Sequence, residues 1–227
     1  MTMNNPNIYR VISVKKRRKH LCAVVLEPAL ELSDFQYEKD DKGTLLLDFS
    51  LAEDGIVAEN MQLGETDIIG LVNESYYRKA KSRALWYLSS ADQSRRGLIR
   101  KLSRTFPAAA CEKAVDKMCE MGYIDDEKFA KSQCEILAAR GLSNSGIVSK
   151  LISYGVSPAL AKECVQEAET DQVTQIENLI QKKYRNKLGD DDSVRRTVNA
   201  LARRGFSFSD IRAAIKKFTD TQIDEEC

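Results

Sequence analysis

The sequence predicts a mainly α-helical protein of three tandem three-helix repeats in an elongated array, preceded by a small N-terminal antiparallel β-rich module. Three observations carry that expectation. Hydrophobic residues recur with a period of two as far as Leu51 and with a helical period from Thr66 onward. Charge divides the chain: residues 1–75 hold 8 basic and 13 acidic groups, and residues 76–227 hold 27 and 21. The second part also repeats itself at intervals of 49 and 50 residues, which signals stacked units that share a core.

Composition limits the function classes. The 227 residues are 43% hydrophobic and 30% charged, with a formal net charge of +1. That is too apolar for a disordered chain and too neutral for a uniformly basic nucleic-acid coat. No apolar run nears the roughly 18 residues of a membrane span. The N-terminal stretch lacks the charged, apolar and small-residue order of a secretory signal, so a cytoplasmic location is expected.

In the module spanning 1–75, Ile8, Arg10, Ile12 and Val14 alternate with Tyr9, Val11 and Ser13 as a first strand. Leu21 to Leu26 is a second, Val-rich strand, and Thr44 to Leu51 a third, with Leu45, Leu47, Phe49 and Leu51 on one face. Lys15 to Lys19 reads as a solvated hairpin turn, with a phosphate-contacting loop as the alternative. Asp40-Asp41-Lys42-Gly43 is a turn by its chemistry. A short helix is expected between Ser50 and Asn60, and Gly64 closes the module. Thr66 and Asp67 can cap a long helix built on Ile68, Ile69, Leu71 and Val72. Its pattern allows either a stop before Tyr76 or a run through Ala80, Ala84, Leu85 and Leu88.

The repeat is visible in its punctuation. Ser94, Ser143 and Ser193 each precede an amphipathic helix, and Leu102, Leu151 and Leu201 recur at matching offsets. Gly155-Val156-Ser157 and Gly205-Phe206-Ser207 each read as a helix stop, an apolar anchor and a new N-cap. Phe106-Pro107 replaces the first two of these in the first repeat, with Pro107 opening the next helix. The predicted repeats are 76–123, 124–170 and 171–220, leaving 221–227 as a frayed acidic tail. Phe129, Ala130, Ile136, Leu137, Ile147, Val148, Leu151, Leu160, Cys164 and Val165 are the expected middle core. Val173, Ile176, Leu179, Ile180, Val198, Leu201, Phe206, Ile211, Ile215 and Phe218 are the expected third core. Trp86, beside Leu85 and Leu88, is expected to be buried, and Tyr184 to pack beside Ile180 rather than stack on a base.

Catalytic and metal chemistry find little support. None of the six cysteines forms a Cys-x-x-Cys pair, and His20 is the only histidine. Buried, reduced thiols are therefore expected, with no metal or cofactor. Asp125 and Asp126 follow Gly122-Tyr123-Ile124 at a predicted helix start, where negative charge is favourable, so they read as caps rather than as an acid–base pair. With no phosphate loop and no nucleophile elbow, the chain is not expected to be an enzyme.

The string Gly122-Tyr123-Ile124-Asp125-Asp126 before Phe129-Ala130 resembles the signature of the RecX family of bacterial recombination regulators. So do Ala84-Leu85-Trp86-Tyr87-Leu88-Ser89 and Arg203-Arg204-Gly205-Phe206-Ser207, so that the resemblance covers about 76–220. It departs at Gly97, where the family usually has an acidic residue; a mid-helix glycine is expected to loosen that helix. The resemblance implies a protein that binds the RecA recombinase along its filament on single-stranded DNA, and a monomer is expected. It further implies slowed ATP hydrolysis and strand exchange and limited filament extension, in the regulation of DNA repair.

Candidate contact residues follow from the basic pattern. Arg96, Arg100 and Arg104 form an i, i+4, i+8 stripe on the second helix of the first repeat, and Lys101 and Lys150 occupy equivalent positions in the first two repeats. Arg195, Arg196, Arg203 and Arg204 flank the corresponding helix of the third, followed by Arg212, Lys216 and Lys217. Repetition of cations suits a filament groove or a phosphate backbone, and weak direct DNA binding. Two other classes stay open: a sequence-specific DNA-binding regulator with helix-turn-helix-like units, and a helical adaptor that binds only protein.

Overall fold

Alternating residues at the N-terminus assemble into a four-stranded antiparallel sheet of order β3-β2-β1-β4 in the computed structural model. The structure describes residues 8–17, 20–32, 35–167, 171–185, 188 and 190–225, with side chains as far as Phe218. Arg18 and Lys19 of the predicted basic turn lie outside the described residues.

β1 (Ile8–Lys16) pairs with β2 (Leu21–Glu27), and Ile12 is the extra residue where Val11 opposes Leu26 and Ser13 opposes Val25. That bulge lets Val14 join Tyr9 and Val11 on the core side while Ile8 and Ile12 face solvent. β3 (Leu45–Asp48) is shorter than predicted. The Asp48 carboxylate accepts the Ser50 N–H at 3.0 Å and turns the chain into α1 (Ser50–Glu53), so Leu51 reaches the core from a helix rather than a strand. β4 (Gln62–Gly64) closes the other edge and was not foreseen.

α2 (Glu65–Ser90) starts where the Asp67 carboxylate accepts the Gly64 N–H at 2.8 Å, and it is continuous across residues 75 and 76. Its Ile68, Leu71 and Val72 fill the sheet's core with Tyr9, Val24 and Leu47. Buried Ser75 accepts the Asp48 N–H at 2.7 Å, and Arg78 bonds to both Asp54 and Glu74, so sheet and helix are tied by polar contacts as well. Farther along, α4 (Ala108–Glu120) packs against α2.

The chain divides into two bodies, residues 1–91 with 98–123 and residues 92–97 with 124–227. α3 (Arg95–Leu102) contributes to both. In the second body, α5 (Asp126–Ala139), α6 (Asn144–Tyr154) and α7 (Pro158–Glu167) enclose Phe129, Leu137, Ile147, Leu151, Val156 and Cys164. Ile136, expected in this core, is instead exposed, because Cys134 and Leu137 take the inward face of α5. α8 (Gln172–Leu179) runs into a π-helical turn at Ile180–Tyr184, and with α9 (Asp191–Ala202) and α10 (Phe208–Glu225) it encloses Ile176, Ile180, Leu201, Phe206 and Ile211. Tyr184 packs against this cluster. α10 stays helical through Glu225, past the start of the predicted frayed tail; Glu226 and Cys227 lie outside the described residues.

Candidate nucleic-acid interface

The helices that carry the predicted cations are held by a junction that occurs twice. Ser94 caps α3 by accepting the Gly97 N–H at 3.0 Å, and it donates to the Tyr154 carbonyl at the end of α6. Ser143 caps α6 by accepting the Gly146 N–H at 3.1 Å, and its own N–H donates at 3.0 Å to the Arg204 carbonyl just past α9. The start of one helix thus faces the end of the next, so donors left over at one terminus meet acceptors left over at the other. Gly155 and Gly205 end their helices at φ +101° and +91°, the left-handed region that a side chain disfavours. Gly97 and Gly146 permit the approach: a Cβ at Gly97 would stand 2.6 Å from the Tyr154 oxygen, and one at Gly146 would collide with the Arg204 oxygen. The expectation that Gly97 loosens α3 is therefore corrected, since the glycine is what lets α6 dock there.

A second contact completes each junction. Asp125 caps α5 by accepting the Lys128 N–H at 2.9 Å, whereas Asp126 accepts the Arg95 N–H of α3 at 2.7 Å. The two neighbouring carboxylates thus serve different helices. Asp171 likewise caps α8, while Gln172 accepts the Asn144 N–H of α6 at 2.9 Å and donates back to the Asn144 side chain at 3.0 Å. The Thr174 hydroxyl and the Val173 and Thr174 N–H groups hold the Asp171 carboxyl below its ordinary range. Ser193 does not match Ser94 and Ser143: α9 is capped by Asp190, whose carboxylate accepts the Ser193 N–H at 2.9 Å, so Ser193 lies inside the helix.

On this frame, Arg96 and Arg100 are exposed residues of α3. Arg104 falls beyond the helix, correcting the three-arginine stripe, because Pro107 forces the chain to turn at Ser103–Phe106. The Lys101 ammonium lies 5.3 Å from the Tyr87 ring centre, and that of exposed Lys150 lies 5.8 Å from the Tyr154 ring centre. Arg195 and Arg196 are exposed on α9; Arg195 lies 3.7 Å from Asp192, and Arg196 donates to the Asp192 carbonyl and the Ser193 hydroxyl. A depression of about 390 Å³ beside Arg196 is lined by Tyr184, Ser193, Thr197 and Ala200. Arg203 is exposed, but the Arg204 guanidinium donates to the Arg140 and Gly141 carbonyls at 2.7 and 3.2 Å and so closes the end of α5. Arg212, Lys216 and Lys217 are exposed on α10, and Lys217 pairs with Glu177 at 2.7 Å.

Trp86 was expected in the interior and is instead 56% exposed, with Leu85 at 39%. The inward face of α2 is taken by the small residues Ala80 and Ala84, which leaves no room for an indole. Trp86 and Tyr87 meet edge to face with ring centres 5.1 Å apart, and the Arg83 guanidinium lies 5.1 Å from one ring centre and 5.8 Å from the other. Burial raises the thiol pKa of Cys22, Cys111, Cys134 and Cys164, keeping them in the unreactive protonated form. Among the described residues, no helix is long and apolar enough to cross a membrane.

Together these features define a mainly helical chain with an N-terminal four-stranded sheet, and Arg96, Arg100, Lys150, Arg195, Arg196, Arg212, Lys216 and Lys217 are exposed on its helices. The family model described as "RecX, third three-helix domain" matches residues 169–215. The Regulatory protein RecX of Herminiimonas arsenicoxydans is 30% identical over 137 residues, which is 60% of this chain and 90% of that protein. The Regulatory protein RecX of Clostridioides difficile (strain 630) is 26% identical over 184 residues, 78% of this chain and 86% of that protein. A crystal structure of regulatory protein RecX superposes with a TM-score of 0.57 at 20% identity, covering 92% of this chain and 99% of the other. RecX from Lactobacillus salivarius gives 0.53 at 21%, covering 63% and 97%. The chain belongs to the RecX family, a family of regulatory proteins and not of enzymes.

Proposed function

We propose that this protein binds the RecA recombinase and its filament on single-stranded DNA, and that it modulates the filament chiefly by inhibiting ATP hydrolysis, strand exchange and extension. Family membership carries this reading. The doubled junction supports it, because a partner that repeats is best matched by cations set at repeating positions. Lys101 and Lys150 each stand four residues after a junction glycine, Gly97 and Gly146. On this reading the helical part is three tandem three-helix repeats over 76–123, 124–170 and 171–220 behind the module 1–75, acting as a cytoplasmic, cofactor-free monomer.

The test is single-stranded-DNA-dependent ATP hydrolysis by the matching RecA with the protein added in steps. Hydrolysis should fall at protein levels well below RecA. Replacing Arg96 and Arg100 together by Glu should weaken filament binding and make it less sensitive to salt. Unchanged hydrolysis together with unchanged filament assembly would overturn the reading. Salt-sensitive binding to one preferred duplex site without any recombinase would replace it with a sequence-specific DNA-binding regulator.

A further inference from the structure

The aromatic pair at the end of α2 has a chemistry that the basic stripes lack. From Ser75 to Ala91 the helix holds no acidic residue, and neither does the segment from Arg95 to Arg104. Within the first of these stretches stand Trp86, more than half exposed, and Tyr87, set edge to face against it at 5.1 Å. Arg83 lies within 6 Å of both ring centres, and Lys101 lies 5.3 Å from that of Tyr87. A large exposed indole with a guanidinium against it and an ammonium against its neighbouring ring is poorly suited to an apolar protein partner, whose contact would strand those charges away from water. It suits a ligand that alternates flat π-faces with negative charge. In a duplex the faces of the bases are already stacked on each other, so a ring on a protein surface can stack only on an unpaired base.

We propose that Trp86 is a stacking platform for an unpaired base of single-stranded nucleic acid, with Arg83 and Lys101 contacting the phosphates beside it. The site goes beyond regulation of a recombinase, because it needs no recombinase to be occupied.

Trp86 is the only tryptophan, so fluorescence excited at the red edge, where the tyrosines do not absorb, reports on this site alone. The experiment titrates the full-length protein with an oligothymidylate of about 12 nucleotides, within the usual range of single-strand sites. The parallel titrations use an abasic strand of equal length and a duplex. Saturable quenching by oligothymidylate, and not by the abasic strand or the duplex, is the expected result. In fluorescence anisotropy with a labelled oligothymidylate, Trp86→Ala should weaken binding about tenfold and Trp86→Tyr far less. Arg83→Ala should weaken it too, with a smaller salt dependence. The exposed position of Trp86 lets these variants keep the fold, which far-UV circular dichroism checks. Equal quenching by the abasic strand would reduce the site to charge alone and overturn the proposal, as would unchanged affinity in Trp86→Ala. An emission that ignores every oligonucleotide but shifts with recombinase alone would also overturn it, making the patch a protein-docking surface. Since no recombinase enters the oligonucleotide titrations, their failure leaves the ATP-hydrolysis test untouched.

Discussion

Replacing Gly97 by Ala tests the helix junction most directly, because propensity and packing predict opposite signs. Inside a helix, glycine to alanine is worth about 1 kcal/mol of stabilisation by propensity. At Gly97 the new methyl would stand 2.6 Å from the Tyr154 carbonyl oxygen and 2.7 Å from the Ser94 hydroxyl, well inside ordinary contact. Either α6 retreats or the start of α3 does, and overpacking of this kind costs about 1–3 kcal/mol. Retreat also breaks the bond from Ser94 to Tyr154, leaving a hydroxyl whose residue is only 1% exposed without its acceptor. That adds about 1–3 kcal/mol. The net expectation is a loss of roughly 1–5 kcal/mol. Gly70 in α2 is the control: no atom lies within 4 Å of its would-be Cβ, so Gly70→Ala should stabilise by about 0.4–1 kcal/mol. The assay is urea unfolding followed by far-UV circular dichroism, with midpoints compared at equal slope. If Gly97→Ala moved the midpoint upward as Gly70→Ala does, the Tyr154 carbonyl would not be held against α3, and the junction as described would be wrong.

Other perturbations follow from the same geometry. Ser143→Ala removes a cap whose residue is 1% exposed and should lower stability by about 0.5–2 kcal/mol, read from the same unfolding curves. Leu201→Ala empties a fully buried position and should cost about 2–5 kcal/mol, against near silence for an exposed site such as Ile152→Ala. Asp171 has its folded-state pKa lowered, so its cap contributes fully above the ordinary value of 3.8 and is lost as pH falls through the depressed value. The protection of the Val173 and Thr174 amides, relative to their intrinsic exchange rates, should fall over that acid range, and in Asp171→Ala it should be low already at neutral pH. In the native protein half-buried Cys119 should be alkylated before Cys22, Cys111, Cys134 and Cys164, which mass spectrometry of a timed reaction resolves.

Much of the helical part was legible because its signals are local. Leu102, Leu151 and Leu201 are all buried, and Gly155 and Gly205 are left-handed stops followed by the buried anchors Val156 and Phe206. Each of these needs only a helix period and a cap chemistry that neighbouring residues reveal. What was missed depends on tertiary neighbours. Ser193 fitted the repeat spacing, but Asp190 three residues earlier is an equally good cap and won. Gly97 looked like a weak spot because nothing in its own helix discloses the carbonyl that approaches it. Trp86 was assigned to the interior from its apolar neighbours, although the alanines beside it set the inward face. β4 spans three residues, too few for alternation to be seen. Asp126 and Gln172 were invisible as partners for other helices, since both bonds cross about 30 residues of chain.

The junctions make helix length, more than residue identity, the quantity that α6 must keep. Gly146 fixes one end against the Arg204 carbonyl, and Gly155 fixes the other beside Gly97. One inserted residue between them would turn everything beyond it by about 100° and shift it by about 1.5 Å. Lys150 sits between these two anchors, so the direction in which it leaves the helix is set by a count of residues. Such a helix can exchange most of its outward letters without harm and cannot gain or lose one. The repeat therefore shows itself in the sequence as a spacing long before it shows itself as a likeness.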